Sequence, residues 1–237
     1  LCFIYLHTGQ LEQTRQTAQV LLQGATHSRI PFHRSTGCWF LGLVCYQRNE
    51  LDEAAQYFTQ IVENRYTAQV TNYRDAVAGL ALIHQIKGES GEAWQMVESI
   101  SQYDLEQRGS EDTRTRSLRA RLLLLQGDLE GAGLWVDTFT DLPQDQPLLW
   151  LEEPQVTRAR ILVARGTDPD LRLALEIVDK LDEIVDRTHN LRYKIEILAL
   201  RALALDAQGQ TSLADTVLEQ AVDLARLGGF LRVFVDL

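Results

Sequence analysis

The chain has 237 residues, 45% of them hydrophobic and 24% charged, and it carries a formal net charge of -10. Because an acidic chain repels the phosphate backbone of nucleic acids, we expect no direct DNA contact by this portion of the protein. No apolar run approaches the roughly 20 residues of a membrane-spanning helix, and no secretory signal is visible, so the sequence favours a soluble, cytoplasmic protein.

A short turn motif returns along the chain at a nearly constant spacing. It is clearest as GDLEGA, residues 127–132, and its copies begin at Gly9, Asn49, Gly88, Gly127, Gly166 and Gly209. A fixed period of about 40 residues marks stacked structural repeats, each of which buries its apolar face against its neighbours. The fold is therefore predicted from the repeat and not from any single segment.

The first predicted element is LCFIYLHT, residues 1–8, which has the character of the back half of a helix. We therefore expect the first repeat to be truncated and the chain to be a fragment of a larger protein. Ser28 and Pro31 indicate the start of a further helix, and Ser110 is a candidate N-cap for a later one.

Further along, the proline-containing stretch at residues 141–149 is predicted to be a loop between two repeats. Asp168 followed by Pro169 resembles an N-cap with proline at the first helical position, and Thr211 is another candidate cap. The terminal FLRVFVD, residues 230–236, is compatible with either a strand or a helix.

Small residues flank each turn at matching distances. Seven residues before the turn position stand Cys2, Gly42, Ala81, Ala120, Ala159 and Ala202. Five residues after it stand Thr14, Ala54, Ala93, Ala132 and Ala214, and an insertion in the fifth copy delays Ala174. One helical turn later, on the same face, come Ala18, Phe58, Val97, Val136, Val178 and Leu218. The pattern predicts an all-α fold of antiparallel helix pairs, in which the turn glycine adopts a positive φ.

The cysteines are predicted to be reduced thiols. Cys38 and Cys45 are seven residues apart on one predicted helix, which separates them by roughly 10 Å, too far for a disulfide. Reduced thiols are typical of a cytoplasmic protein.

The order of small residue, turn glycine and alanine resembles the tetratricopeptide repeat (TPR), whose usual period is about 34 residues. The longer unit of this chain resembles the superhelical domain of large ATP-dependent LuxR-type transcription regulators, the MalT-like family. The segments most similar to that family are RSLRARLLLLQGDLEGA, VTRARILVARGT, THNLRYKIEILALRALALDAQGQ and AVDLARLGGFLRVFVDL, at residues 116–132, 156–167, 188–210 and 221–237. The resemblance implies a single domain over residues 1–237, a right-handed superhelix of about six helix pairs.

The same resemblance implies a function and a set of partners. In MalT-like regulators this region receives an effector and relays its arrival to a nucleotide-binding module. The chain has no G-x-x-x-x-G-K-[ST] phosphate loop, so we expect no cofactor here and ATP in a separate NTPase domain. The expected partners are a small-molecule effector or regulatory protein, and the adjacent NTPase and helix-turn-helix domains of the parent protein.

In TPR proteins the first helix of each pair lines a concave groove. Transferring the groove positions of that family to this chain points to seven candidate ligand-binding residues, namely Trp39, Tyr46, Arg114, Arg121, Glu153, Arg160 and Glu196. The same transfer also points to the groove positions Asp75, Gln85, Ser117 and Asp206. Trp39 and Tyr46 are either a stacking platform for a flat ligand or aromatic core residues. Arg121 and Arg160 either clamp an anionic group together or form ion pairs with Glu153, Glu196 or Asp206.

No pattern in the sequence indicates catalysis or a metal site. The histidines and cysteines form neither H-E-x-x-H nor C-x-x-C, and no G-x-S-x-G is present. The adjacent carboxylates Glu152 and Glu153 are expected to be solvated. We therefore do not expect an enzyme.

Two functional hypotheses remain. The first is an effector-sensing and signal-relay domain of a LuxR/MalT-like transcription regulator, in which a ligand favours one conformation of the helical array. The alternative is a stand-alone TPR scaffold that binds a protein or peptide along the groove. Both hypotheses explain the repeat.

Overall fold

The computed structural model describes residues 1–28, 31–66, 68–140 and 148–236. Across these ranges the chain forms 13 helices and no strand. The predicted all-α class of TPR-like helix pairs is confirmed. None of the helices in these ranges is both long and apolar enough to pass through a bilayer.

The helices follow the predicted order of pairs. The first helices are α1 (Cys2–His7), α3 (Pro31–Gln47), α5 (Val70–Ile86), α7 (Thr113–Leu125), α9 (Pro154–Arg165) and α11 (Leu191–Ala207). The second helices are α2 (Leu11–Ser28), α4 (Leu51–Glu63), α6 (Ser90–Arg108), α8 (Leu129–Thr138), α10 (Asp168–Arg187) and α12 (Thr211–Gly228). A short α13 (Arg232–Val235) follows, so the terminal stretch is helical where the sequence alone allowed a strand.

The six turn positions share one backbone conformation. Their φ angles lie between 63° and 82° at Gly9, Asn49, Gly88, Gly127, Gly166 and Gly209. A positive φ costs glycine little, and asparagine tolerates it better than most other residues. The predicted turn geometry is confirmed in every copy.

Small residues inside the helices allow close packing, as the repeat pattern predicted. Phe58 of α4 is completely buried, and its ring lies between Gly42 of α3 and Gly79 of α5. A Cβ atom at Gly42 or at Gly79 would stand 2.5 Å from a ring carbon of Phe58. Only glycine fits at these two positions beside the ring.

Two predicted helix starts are displaced. Asp168 is the first residue of α10, and Thr167 is its N-cap, whose side chain accepts a hydrogen bond from the Asp170 amide over 3.3 Å. Asp112, and not Ser110, caps α7. Thr167 and Asp112 take the caps because each has the extended backbone and side-chain acceptor that a cap requires.

The predicted cap at Thr211 is displaced as well. Thr211 is the first residue of α12 and not its cap. The loop predicted at residues 141–149 falls outside the described residues except for its last two, Leu148 and Leu149.

The helices fall into two compact units. Unit 1 comprises Leu1–Glu111 and Gly228–Arg232, and unit 2 comprises Asp112–Leu227 and Val233–Leu237. The core of unit 2 is a cluster of aliphatic residues from α7 to α11, with Ile161, Val178 and Ile197 completely buried. The organisation of residues 1–237 as a single superhelical domain stays a prediction.

The repeat position one helical turn after the small residue of each second helix departs from the predicted pattern in the last copy. Its occupants Ala18, Phe58, Val97, Val136 and Val178 are buried, whereas Leu218 is 42% exposed. The buried face of α12 consists instead of Ala214, Val217, Ala221 and Ala225.

Candidate functional site

Arg121 and Arg160 occupy the same repeat position on two first helices of unit 2. Arg121 belongs to α7 and Arg160 to α9, and their exposed fractions are 3% and 8%. A buried charge requires a partner because removal from water penalises the ionised form. The partners of the two guanidinium groups therefore define the site.

The partner of Arg121 is Glu152, which precedes α9. Nη1 of Arg121 lies 3.2 Å from Oε2 of Glu152 and donates a second hydrogen bond to the Leu151 carbonyl over 3.2 Å. The other carboxylate oxygen, Oε1, accepts hydrogen bonds from the hydroxyl groups of Ser117 and Thr157. Both oxygens of this buried carboxylate are thus hydrogen-bonded.

The prediction that Glu152 and Glu153 are solvated is wrong. Their exposed fractions are 2% and 9%. The two side chains stand at the junction between a loop and α9 and not side by side on a helix surface, so both can point inward. The same local geometry explains why Arg121 pairs with Glu152, which was not among its predicted partners.

The segment that carries these carboxylates is held by the start of α11. Asn190 donates a hydrogen bond from Nδ2 to the Leu148 carbonyl over 2.7 Å. Arg192 donates to the carbonyl groups of Leu149 and Trp150 over 3.2 and 3.1 Å. These bonds to backbone carbonyls fix the approach to α9 and thereby position Glu152 and Glu153.

Glu153 is a buried carboxyl group at the start of α9. Its Oε1 accepts hydrogen bonds from the backbone amides of Leu149 and Trp150 over 3.0 and 3.2 Å. Burial raises the pKa of this carboxyl from 4.5 to about 7, although Arg114 and the two amide donors act in the opposite direction. Arg114 itself lies over the Trp150 ring, 5.1 Å from the ring centroid.

Arg160 forms a buried ion pair with Glu196 of α11. Nη2 of Arg160 donates to Oε1 of Glu196, and both side chains are at most 10% exposed. This is one of the ion pairs expected as the alternative to ligand binding. The two predicted site residues therefore face each other across neighbouring first helices.

Three first helices of unit 2 enclose a pocket of about 390 Å³ beside these ion pairs. The charged residues of its wall are Arg121, Arg160 and Asp236. The apolar residues of its wall are Leu124, Leu125, Val163, Ala164, Leu200 and Leu203, from α7, α9 and α11. A volume in this range, apolar walls and a few convergent polar groups are the usual features of a small-molecule site.

In unit 1, Trp39 and Tyr46 lie in the packed interior. Trp39 is completely buried and Tyr46 is 2% exposed. The Trp39 ring packs edge to face on Phe40, and its Nε1 donates a hydrogen bond to Asp75 over 2.6 Å. The guanidinium of Arg232 lies 5.8 Å from the centroid of the Tyr46 ring. Both residues therefore have the environment of core aromatics, and a ligand-stacking role for them stays a prediction.

Among the described residues, one group of side chains brings potential metal ligands together, namely Cys45, Glu50 and Glu53. Arg15 already forms an ion pair with Glu50. Burial raises the pKa of the Cys45 thiol to about 12, and its Sγ lies 3.7 Å from Oε2 of Glu53. All three side chains therefore already have partners within the protein. Cys2, Cys38 and Cys45 are all free thiols, as predicted.

The sequence alone did not indicate Glu152, Asp236 or the leucines of the pocket wall as site residues. Leu200 and Leu203 belong to an apolar helix whose repeat pattern does not separate core from pocket positions. Asp236 lies after the last repeat, so the repeat frame assigns it no position. Its proximity to Arg121, 3.6 Å between Oδ2 and Nη2, emerges only from the fold.

A comparison with curated proteins found no significant match to this chain. A family model described as the MalT-like TPR region matches residues 1–237. This match spans the whole sequence, including both units and every helix that contributes to the pocket. The chain therefore belongs to the MalT-like TPR region family.

Proposed function

We propose that this chain is the effector-sensing and signal-relay region of a LuxR/MalT-like transcription regulator, with its effector site in the pocket of unit 2. The observation that carries the proposal is the convergence of α7, α9 and α11 on one cavity that contains Arg121 and Arg160. The repeat position of these arginines is one of those that line the ligand groove in TPR proteins. The family membership supplies the regulatory context.

The pocket suits a small molecule better than an extended peptide. Its charged groups meet within one cavity, and its apolar wall is formed by neighbouring turns of three helices. A peptide scaffold would instead present side-chain pockets and backbone-binding groups along an extended surface. The second candidate ligand in this proposal is a regulatory protein, because a protein can insert one anchoring side chain into such a cavity.

The signal relay follows from the helices that form the site. A ligand in the pocket contacts three consecutive first helices, so it stabilises the packing that fits it best. In this proposal the attached NTPase domain, which binds ATP, detects the change, and a helix-turn-helix domain binds DNA. The coding sequence beside this region is expected to encode both modules, and their absence would contradict the relay.

Ligand binding in the pocket is tested with a variant whose pocket is blocked. Ala164 is an exposed residue of the pocket wall, so Ala164→Trp is expected to fill the cavity without disturbing the core. Gln220→Trp is the matched control, because Gln220 is exposed on α12 and is not part of the wall. The measurement is the melting temperature of each variant in the presence of a metabolite library and of a peptide library.

We expect at least one small molecule that raises the melting temperature of the wild type and of Gln220→Trp but not that of Ala164→Trp. Such pocket-dependent stabilisation is the linkage effect of a ligand that binds only the folded state. Stabilisation by peptides alone, or the lack of any ligand whose effect depends on Ala164, would overturn the proposal.

A further inference from the structure

Asp236 is an internal carboxylate placed against the arginine of the pocket. Its Oδ2 lies 3.6 Å from Nη2 of Arg121, and its side chain is 10% exposed. Arg121 already has a hydrogen-bonded partner in Glu152, at 3.2 Å. A second carboxylate is therefore accommodated beside the same guanidinium, at ion-pair distance, on the pocket side.

The position of Asp236 is set by packing within unit 2. Phe234, two residues earlier, packs against a cluster that includes Leu198 and Ala202 of α11. Val233 is also buried, at 6% exposure. The packing of these neighbours places the Asp236 carboxylate beside the pocket.

The pocket wall presents two guanidinium groups and one carboxylate. Its charged residues are the cations Arg121 and Arg160 and the anion Asp236. The carboxylates that pair with the two arginines, Glu152 and Glu196, are not part of the wall. An anionic group in place of Asp236 would meet the Arg121 guanidinium, whose planar donors suit a carboxylate or a phosphate.

The rest of the wall is apolar and incompletely covered. Leu200 is buried, but Leu125 is 38% exposed and Leu203 is 43% exposed. These exposed leucine surfaces continue directly from the arginines within one cavity. A ligand with an anionic head and an aliphatic body would cover them and remove apolar surface from water.

We infer that the pocket takes an amphiphilic anion, whose anionic head replaces Asp236 at Arg121 and whose apolar body lies on Leu125, Leu200 and Leu203. This inference rests on the proposed function of the pocket and names its ligand class. Binding exchanges one anion for another, so the charge of the site is conserved for a monoanionic ligand. Asp236 then competes with the ligand for Arg121 and so sets the affinity of the pocket for the ligand. Because binding displaces Asp236, occupancy of the pocket is coupled to the position of the segment that carries this residue.

The test uses three probes that separate the head from the body. Octanoate has both, 1-octanol has the aliphatic body with a neutral head, and acetate has the carboxylate with almost no body. Binding of each to the full chain is measured by isothermal titration calorimetry at pH 7.5. The wild type is expected to bind octanoate at least about tenfold more tightly than octanol or acetate, because only octanoate uses both parts of the wall.

The competitor role is tested with Asp236→Asn, which keeps the shape and removes the charge. The variant is expected to bind octanoate at least about tenfold more tightly than the wild type and octanol with unchanged affinity. Asp223→Asn is the matched control, since Asp223 is exposed on α12 and lies outside this pocket. It removes the same charge and is expected to leave both affinities unchanged, and thermal melts confirm that both variants fold.

The outcomes separate this inference from the proposed function. Equal binding of octanol and octanoate, both abolished by Ala164→Trp, would retain the effector pocket and overturn its anionic ligand class. An Asp236→Asn variant with wild-type affinity for octanoate would overturn the competitor role. Octanoate binding that survives Ala164→Trp would overturn both this inference and the proposed site.

Discussion

The indole Nε1 of Trp39 donates a hydrogen bond to Oδ2 of Asp75 over 2.6 Å in the interior of unit 1. Trp39 is completely buried and Asp75 is 4% exposed. A buried indole N–H needs an acceptor, and a buried carboxylate needs donors. The bond joins α3 to α5 and is therefore a link between two repeats.

Asp75→Ala is expected to lower the free energy of unfolding by about 1–3 kcal/mol, because it leaves the Trp39 N–H buried without this acceptor. Asp75→Asn should cost less, since an amide oxygen can accept the same bond. Asp52→Ala is the control: the Asp52 side chain is 85% exposed, and its solvent-screened ion pair with Lys87 is expected to contribute little to stability. Denaturant titration measures all three, and equal losses at Asp75 and Asp52 would contradict the prediction.

Gly42→Ala is expected to destabilise the protein although alanine is the better helix former by about 1 kcal/mol. The added Cβ would stand 2.5 Å from the Phe58 ring, which is enclosed on its other side by Gly79. Gly24→Ala on α2 is the control, because nothing lies within 4 Å of a Cβ there. It is expected to stabilise the protein slightly. A stabilising Gly42→Ala, measured by thermal unfolding, would refute the close packing.

Arg160→Met is expected to cost about 3–5 kcal/mol of stability, because it leaves the buried Glu196 carboxylate without its cation. The double variant Arg160→Met with Glu196→Leu should recover most of that loss, since it removes both charges from the interior. The control is Lys87→Met, which breaks the exposed, solvent-screened pair with Asp52 and should change stability much less than Arg160→Met. A double variant that is no more stable than Arg160→Met would show that the pair does not act as a unit.

The raised pKa of Glu153 predicts a specific pH dependence of the free energy of unfolding. Its pKa is about 7 in the folded protein and near 4.5 when unfolded, so between these values the folded state holds the proton and the unfolded state releases it. The contribution of Glu153 to stability is therefore full below about pH 4.5 and falls by roughly 3 kcal/mol as the pH rises to about 7. Above that pH it stays constant.

Glu153→Gln removes this titration and keeps an oxygen to accept the amides of Leu149 and Trp150. Relative to the wild type, the variant is expected to gain stability between pH 5 and pH 8. Glu176→Gln, at an exposed position on α10, serves as the control and should follow the wild-type profile. Parallel stability profiles for Glu153→Gln and the wild type, from urea titrations across this range, would refute the raised pKa.

The repeat pattern of the sequence was enough to predict the helix pairs and their turns. Each turn depends on a residue that tolerates a positive φ, such as Gly127 or Asn49, and this preference is local. The small residues, such as Gly42, recur at fixed distances because close helix packing needs them wherever a pair forms. Helix starts were less accurate, since several capping side chains stand within a few residues of one another, as at Ser110 and Asp112.

The sequence also identified Arg121, Arg160 and Glu196 as candidate site residues, because repeat positions map onto helix faces. The sequence did not determine whether these helix faces contact a ligand, an ion-pair partner or the hydrophobic core. Trp39 and Tyr46 have the same helical spacing in a groove as in an interior, so only the packing of neighbouring helices reveals their burial.

What the sequence by itself determined is the class of fold, the phase of its helix pairs and the family to which it is similar. Only the tertiary structure decided that Glu152 turns inward to Arg121, and that Asp236, beyond the last repeat, returns to the same guanidinium. The physical reason is range: turn geometry and helix periodicity act between near neighbours in the chain. A buried charge instead takes whichever partner the folded backbone brings within a few ångströms.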